Sequence, residues 1–428
     1  MIIENVINDL KLFKTENTLN KKNIVLYGAG LLGIEVYEML KYAGIAVAYF
    51  CDSNPKKHGK RIDGIEIIPP GKLKELDSET IIIITIYNEN IAKQCLDFIK
   101  TLNKKLKKVF TALKFFNNLC DYWIEITSQE NEILKKIRNK FSFNNVELIN
   151  KGFSLDKKYC VTDKNGMNYF LRISNFTNFK RQKKIFSLMK QPATLGIPMS
   201  IPLDFGVCDL GVYILTSWID GEIMAAISPS LSNAELYNYG LKCGEILRKI
   251  HSIPAPQTIV KYEEINKIDI SIKTYKKCGK TFDGDNIIIT YIEQNLEQYR
   301  FLFENRPQCF IHGDYHLGNI ILENGNLKIV DFDACGFGDS WYDFYCLFLG
   351  AIKNNDLFRT ALIKGYFNGE PPNIFWRLSY FYTCIYSLEF FCYHLINKEY
   401  LEKVGIRNIQ GFLKSTNNLK KNIPSWYK

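Results

Sequence analysis

The stretch CFIHGDYHLGNIILENGNLKIVDFDACGFGD, residues 309 to 339, decides the reading of this chain. It sets Asp314, Asn319 and Asp331 at the spacing with which a loop of the form H-R-D-x-x-x-x-N, followed by a metal-binding Asp, orients a hydroxyl and holds magnesium for phosphoryl transfer. HGDYHLGN keeps His312, Asp314 and Asn319 in register, and IVDFD brings Asp331 to the place of the Asp in D-F-G, with Asp333 replacing its glycine. CFI and IIL are short apolar runs, and GNLKIVDF repeats the pattern after Asn324 and Gly325, which predicts a loop between a strand and a hairpin. Magnesium takes hard oxygen ligands and keeps several waters, so an Asn carbonyl and a carboxylate are a sufficient protein share. Any one of these side chains would serve equally as a turn cap. The joint spacing is what points to chemistry.

HGDYHLGN, IVDFD and the following GDSWYDF resemble the aminoglycoside phosphotransferase family of small-molecule kinases, relatives of choline and macrolide kinases that share a bilobal protein-kinase-like fold. KGFSLDKKYCV at 151 to 161, NYFLRIS at 168 to 174, GIPMSIPLDFG at 196 to 206, GEILRKIHSIPAP at 244 to 256 and RPQCFIHGDYH at 306 to 316 follow in the family's order. The resemblance covers about residues 140 to 390. The expected fold class is therefore an α/β Rossmann-like N-terminal domain followed by an α+β bilobal protein-kinase-like domain. The expected divisions are residues 1 to 118, a connecting helix at 119 to 140, an N-lobe at 141 to 222 and a C-lobe at 223 to 428.

What the resemblance implies for the site is specific. Asp314 would orient the acceptor hydroxyl and take its proton, Asn319 and Asp331 would hold Mg2+, and ATP would be the phosphoryl donor. The backbone at Gly152, Phe153 and Ser154 would cover phosphates, although one glycine also suits an ordinary hairpin. Arg172 stands in the place of the kinase strand lysine, always charged and able to grip phosphate with two donors. Thr216, Ser217 and Trp218 would meet adenine, with Trp218 equally suited to a core. His312 would orient the loop, and His316 and Asp333 are candidates for the acceptor side, His316 serving equally as a turn cap. One departure stands out: no Glu occurs between Glu147 and Glu222, and Ile185 or Ser187 lies near the place where the partner of the strand cation is expected. Asp339 and Asp343 would tie the C-lobe together, His251 would bind backbone at a helix end, and the aromatic run at 375 to 394 reads as helical core.

The first hundred residues carry their own pattern. NIVLYGAG is a strand ending at Gly28, and GAGLLGIEVYEMLKYAG places Gly28, Gly30 and Gly33 as G-x-G-x-x-G running into a helix that stops at Gly44. The next strand, IAVAYF, ends at Asp52, nineteen residues after Gly33, where a Rossmann unit sets a carboxylate against ribose. IIIITI at 81 to 86, a helix near 90 to 101 and a strand near 107 to 112 would complete a small α/β sheet. YGAG, CDSNPKKHGK and GIEIIPPGKL also resemble small Rossmann-like domains attached to bacterial sugar-modifying transferases, which implies NAD or a nucleotide-sugar as ligand, or glycines kept for tight packing.

Composition limits the alternatives. With 428 residues, 46% hydrophobic and 23% charged, the chain supports two or three packed domains and is not a disordered protein. Its net charge of +10 is spread as scattered pairs such as Lys56 and Lys57 or Lys183 and Lys184, a solvated surface and not a nucleic-acid track. Twelve cysteines without C-x-x-C spacing read as buried thiols of a reducing compartment. No apolar run approaches a membrane span and no secretory pattern opens the chain, so a cytoplasmic location is expected. The expected activity is phosphoryl transfer from ATP to a hydroxyl of a sugar, polyol or amino alcohol. An aminoglycoside antibiotic kinase and a non-catalytic nucleotide sensor are the alternatives.

Overall fold

The computed structural model describes residues 24–106, 108–117, 130–150, 156–208, 210–257, 262–349, 355–394 and 405–428. Residues 1–186 with 202–218 form one compact unit, and residues 187–201 with 219–428 form a second.

In the first unit, β1 (Ile24–Tyr27), β2 (Tyr49–Cys51), β3 (Arg61–Ile62), β4 (Ile65–Ile68), β5 (Ile81–Ile84) and β6 (Lys108–Thr111) make a mixed sheet in the order β3-β4-β2-β1-β5-β6. Only the β3 to β4 pairing is antiparallel. IVLY and IIII are buried at every position because they are the central parallel strands, covered on both faces. Helix α1 (Leu31–Tyr42) follows β1, and α2 (Glu89–Leu102) starts where the Asn88 side chain accepts from the amides of Asn90 and Ile91. Val25, Tyr27, Ile82 and Ile84 form a core with Ala92 and Ile99 of α2. The strand expected over IAVAYF is shorter, since pairing with β1 begins only at Val25 opposite Tyr49.

Helix α3 (Glu130–Phe141) buries Ile133 and Ile137; residues 118–129, where the first half of the expected connecting helix falls, lie outside the described residues. A second, wholly antiparallel sheet follows: β7 (Asn145–Leu148), β8 (Lys157–Thr162), β9 (Asn168–Ser174), β10 (Pro202–Cys208) and β11 (Gly211–Ser217), in the order β10-β11-β9-β8-β7. Between β9 and β10 runs α4 (Phe179–Thr194).

The second unit is mainly helical. It holds α5 (Asn233–Ile250), α6 (Tyr262–Cys278), α7 (Asp285–Asn305), α8 (Asp356–Phe367), α9 (Asn373–His394) and α10 (Ile406–Ser415). Two small sheets lie among them, β12 (Glu222–Ile223) with β14 (Ile320–Glu323) and β15 (Asn326–Ile329), and β13 (Gln308–Ile311) with β16 (Gly336–Asp339). The aromatic run on α9 is core: Phe375, Trp376, Tyr380 and Phe381 are nearly inaccessible, and Phe375 meets Trp341 and Phe344 edge-on. Among the described residues no helix is long and apolar enough to cross a membrane, and every cysteine is a free thiol.

Candidate active site

The decisive loop is hung between two strand pairs. β13 pairs with β16, so the chain enters at Ile311 opposite Gly336, and it leaves into the β14 to β15 hairpin. That hairpin closes on Asn324 and Gly325, both with positive φ (48° and 78°), as a two-residue turn matching strand twist requires. The amide of Val330 donates to the Asn319 carbonyl at 3.0 Å, which brings the segment of Asp331 alongside the loop. Asp331 itself adopts the left-handed conformation, φ 62° and ψ 61°, an uncommon state for a residue with a side chain. Gly313 has φ 83°, and a Cβ there would lie 2.2 Å from the Ala334 carbonyl oxygen, so only glycine fits between the loop and the Asp331 turn.

Buried polar groups fix the loop backbone. Asp343, fully buried, accepts from the amides of His312 at 2.8 Å and Gly313 at 2.6 Å, and from the His251 ring at 3.0 Å. The other ring nitrogen of His251 accepts from the Tyr366 hydroxyl at 2.9 Å, so His251 binds side chains and not the backbone expected from its place at a helix end. His312 is inaccessible; its Nδ1 accepts from the Asp314 amide at 3.2 Å and its Nε2 donates to the Val330 carbonyl at 3.1 Å. Burial lowers its pKa, and a neutral ring is what these two bonds need. Asp339 accepts from Arg306, whose guanidinium stacks 3.5 Å from the Trp341 ring centroid.

Asp314 is partly exposed, its side chain 39% accessible. Its Oδ2 accepts from Asn319 Nδ2 at 3.0 Å, and the same amide group donates to the Asp314 carbonyl at 2.9 Å. With the nitrogen so committed, Asn319 Oδ1 accepts no hydrogen bond among the described residues and is the atom left for a cation. His316 caps the short turn Leu317–Asn319, its Nδ1 accepting from the Gly318 amide at 2.9 Å, and its Nε2 lies 3.4 Å from Asp314 Oδ2 and 3.3 Å from Asn319 Nδ2. Cys346 Sγ donates to Oδ1 of the same carboxylate at 3.7 Å. Burial alone would raise the Asp314 carboxyl, but the His316 ring and the Asn319 amide more than offset it, and its pKa falls below the ordinary value. Asp333 lies half-buried in the turn after Asp331. The donor set of an Asn carbonyl and a carboxylate, all hard oxygens, fits magnesium in kind.

Arg172 is buried in β9 of the first unit, and its Nε stands 4.0 Å from Asp156 Oδ2, both side chains 8% exposed. Sequence reasoning looked for the partner of this cation on α4 and missed Asp156. Thr216 and Ser217 end β11, whose pairing with β10 stops at Thr216 opposite Pro202, and Trp218 follows half-buried. Gly152, Phe153 and Ser154 lie outside the described residues. Cys346 was also missed, since its thiol reaches Asp314 across 32 residues and no local pattern encodes that contact.

The glycine motif near the N-terminus lies where expected, yet its contacts leave the ligand expectation without support. Asp52 is buried, accepts from the amides of Ala29 and Asn54 at 2.9 Å each, and holds Lys57 Nζ at 2.8 Å. Its pKa is low although burial acts to raise it, because Lys57 and the two amides outweigh that cost. A ribose would have to displace this set. A Cβ on Gly33 would lie 2.0 Å from the Gly28 carbonyl oxygen, and one on Gly28 would lie 2.7 Å from that of Thr85; helix-to-strand packing demands the first glycine and the approach of β1 to the end of β5 the second, while Gly30 borders open space. NAD and nucleotide-sugars are therefore not supported as ligands of this sheet.

Known proteins place the chain. The model of the phosphotransferase enzyme family, APH, matches residues 145–374, and that of C2185-like N-terminal domains matches residues 20–106. No curated protein matches. Among solved structures, the gentamicin complex of APH(2")-IIa is 19% identical with a TM-score of 0.51, covering 67% of this chain and 97% of its own. The streptomycin-ATP ternary complex of APH(2")-IIa is 20% identical with a TM-score of 0.50, covering 66% and 98%. ADP-bound APH(2'')-Ib is 20% identical with a TM-score of 0.50, covering 66% and 97%. These likenesses are of fold. With the family model spanning more than half of its residues, this chain belongs to the phosphotransferase enzyme (APH) family and has its kinase-like bilobal fold.

Proposed function

We propose that the protein transfers the γ-phosphoryl group of ATP to a hydroxyl of a small molecule. The observation that carries this reading is the pairing of a partly exposed Asp314 carboxylate, lowered in pKa, with an Asn319 amide turned so that its oxygen is uncommitted beside the Asp331 segment. Asp314 orients the acceptor hydroxyl and takes its proton as the bond to phosphorus forms. Asn319 Oδ1 and Asp331 would hold Mg2+, which when bound neutralises charge on the phosphates. Arg172, steadied by Asp156, and the backbone of Gly152, Phe153 and Ser154 meet phosphate oxygens. Thr216, Ser217 and Trp218 lie at the adenine, and His312 keeps the loop in place. Because the transition state is loose, positioning and fixed charge supply most of the acceleration.

For the acceptor we favour a sugar, polyol or amino alcohol, on the ground that YGAG, CDSNPKKHGK and GIEIIPPGKL resemble in sequence small domains attached to sugar-modifying enzymes; we read the glycines there as packing. Asp156 beside Arg172 supports a catalytic protein over a mere sensor, since it supplies an acid where α4 has none. The test is ATP consumption across a panel of hydroxyl compounds and aminoglycosides, with Asp314→Ala as control. The variant should lose turnover by about 10²-fold or more and keep MgATP binding. Wild-type rates in that variant would reject the assignment, and turnover confined to aminoglycosides would reject the favoured acceptor class.

A further inference from the structure

Helix α4 carries Lys180, Arg181, Lys183, Lys184 and Lys190 and no acid, so nothing on the helix itself offsets the repulsion among its cations. The acids come from α1. Glu35, Glu38 and Tyr42 fall at i, i+3 and i+7, one face of α1, and that face meets the first turns of α4. Glu35 Oε2 stands 3.5 Å from Lys180 Nζ, and Glu38 Oε1 stands 2.8 Å from Lys183 Nζ. The Tyr42 ring lies 5.7 Å from Phe179 and 5.2 Å from Phe205 of β10, and Lys183 Nζ sits 5.5 Å above it. Phe205 in turn stacks on Phe186 at 5.6 Å.

The register of the second sheet says what this contact reaches. Phe205 is opposite Ile214 and Ile214 is opposite Arg172, and directly opposed residues point to the same face, so α4 covers the face that bears Arg172. Phe179 begins α4 only seven residues after Arg172. Gln182, one turn along, is wholly buried with neither amide atom hydrogen-bonded.

We propose that α1 is the positioning partner of α4: through Glu35, Glu38 and Tyr42, the N-terminal sheet holds the helix that packs on the Arg172 face, and so sets the affinity for nucleotide phosphates. This rests on the phosphotransfer reading given above. Glu35, Glu38 and Tyr42 act through α4 and touch no substrate.

The experiment is a charge swap in the full chain, read as KM for ATP, kcat and MgATP dissociation constant. Glu35→Lys with Glu38→Lys should raise KM and the dissociation constant together by about fivefold or more, with kcat within about twofold. Lys180→Glu with Lys183→Glu should do the same, and the four changes combined should return both constants to within about twofold of wild type, which a loss of folding would not allow. Tyr42→Ala should weaken MgATP binding, and Tyr42→Phe should leave it intact. Unchanged constants in either reversed pair, or a fourfold variant no better than the pairs, would overturn the inference while wild-type turnover leaves the phosphotransfer reading standing. A wild-type protein that binds no MgATP would instead remove that reading, and the inference with it.

Discussion

Asp343 takes three hydrogen bonds in a buried site, from two successive amides and one imidazole, and each is a condition for the loop that carries Asp314. His312, one of the two residues whose amides bind Asp343, is a buried titratable group. In the unfolded chain it titrates near about 6.5, and burial lowers it in the folded state, so the unfolded state binds the proton first as pH falls. Its contribution to stability is complete above about 6.5 and is lost as pH drops from there toward the depressed folded value. His312→Gln keeps a donor for the Val330 carbonyl and removes the titration. Melting temperatures between pH 7.5 and 5.5 should therefore fall more steeply for wild type than for this variant, and parallel falls would contradict the assignment. Asp314 and Asn319 were legible in the sequence because they meet within five residues through the amide itself. The partners of Asp343 were not, since His251 reaches it across 92 residues and no local pattern encodes that separation. Asp156 was hidden for a related reason: its meeting with Arg172 depends on how β8 and β9 pair, not on either segment alone.

At the scale of elements, sequence shows most clearly what is local. The runs IVLY and IIII announce buried strands because burial on both faces needs continuous apolarity, and Asn324 with Gly325 announces a hairpin because both positions need positive φ. What a helix packs against is written only in its partner, which is why Lys183 and Lys184 of α4 read alone as solvated surface. Helix α5 shows the local case in full. Ser232 Oγ accepts from the Glu235 amide, and the Glu235 carboxylate accepts from the Ser232 amide at 2.9 Å, a reciprocal cap that satisfies donors the helix start would otherwise leave unpaired. Ser232→Ala should cost about 1 kcal/mol, a fall in melting temperature of about 2–4 °C in a unit of this size. Amide hydrogen exchange should accelerate at residues 233 to 236; unchanged exchange there would show that tertiary packing, not the cap, holds the helix start.

At the scale of the molecule, ligand binding and stability are one equilibrium. A ligand that binds only the folded chain stabilises it by an amount set by its concentration relative to its dissociation constant, about 2.7 kcal/mol at a hundredfold excess. If Asn319 and Asp331 bring ATP to the protein through magnesium, then MgATP should raise the melting temperature, and excess EDTA should abolish most of the rise while the free nucleotide remains. The net charge of +10 will draw any polyanion to the surface, so a rise that survives chelation but vanishes at 0.5 M salt would mark nonspecific attraction and not the metal site. NAD and nucleotide-sugars give the opposite expectation. Asp52 is already closed by Lys57 and two amides, and a ribose gains nothing unless it repays their loss. Neither ligand should move the transition at concentrations where MgATP does. A shift with NAD that persists in Asp314→Ala and disappears in Asp52→Asn would show that the first sheet opens to a nucleotide after all.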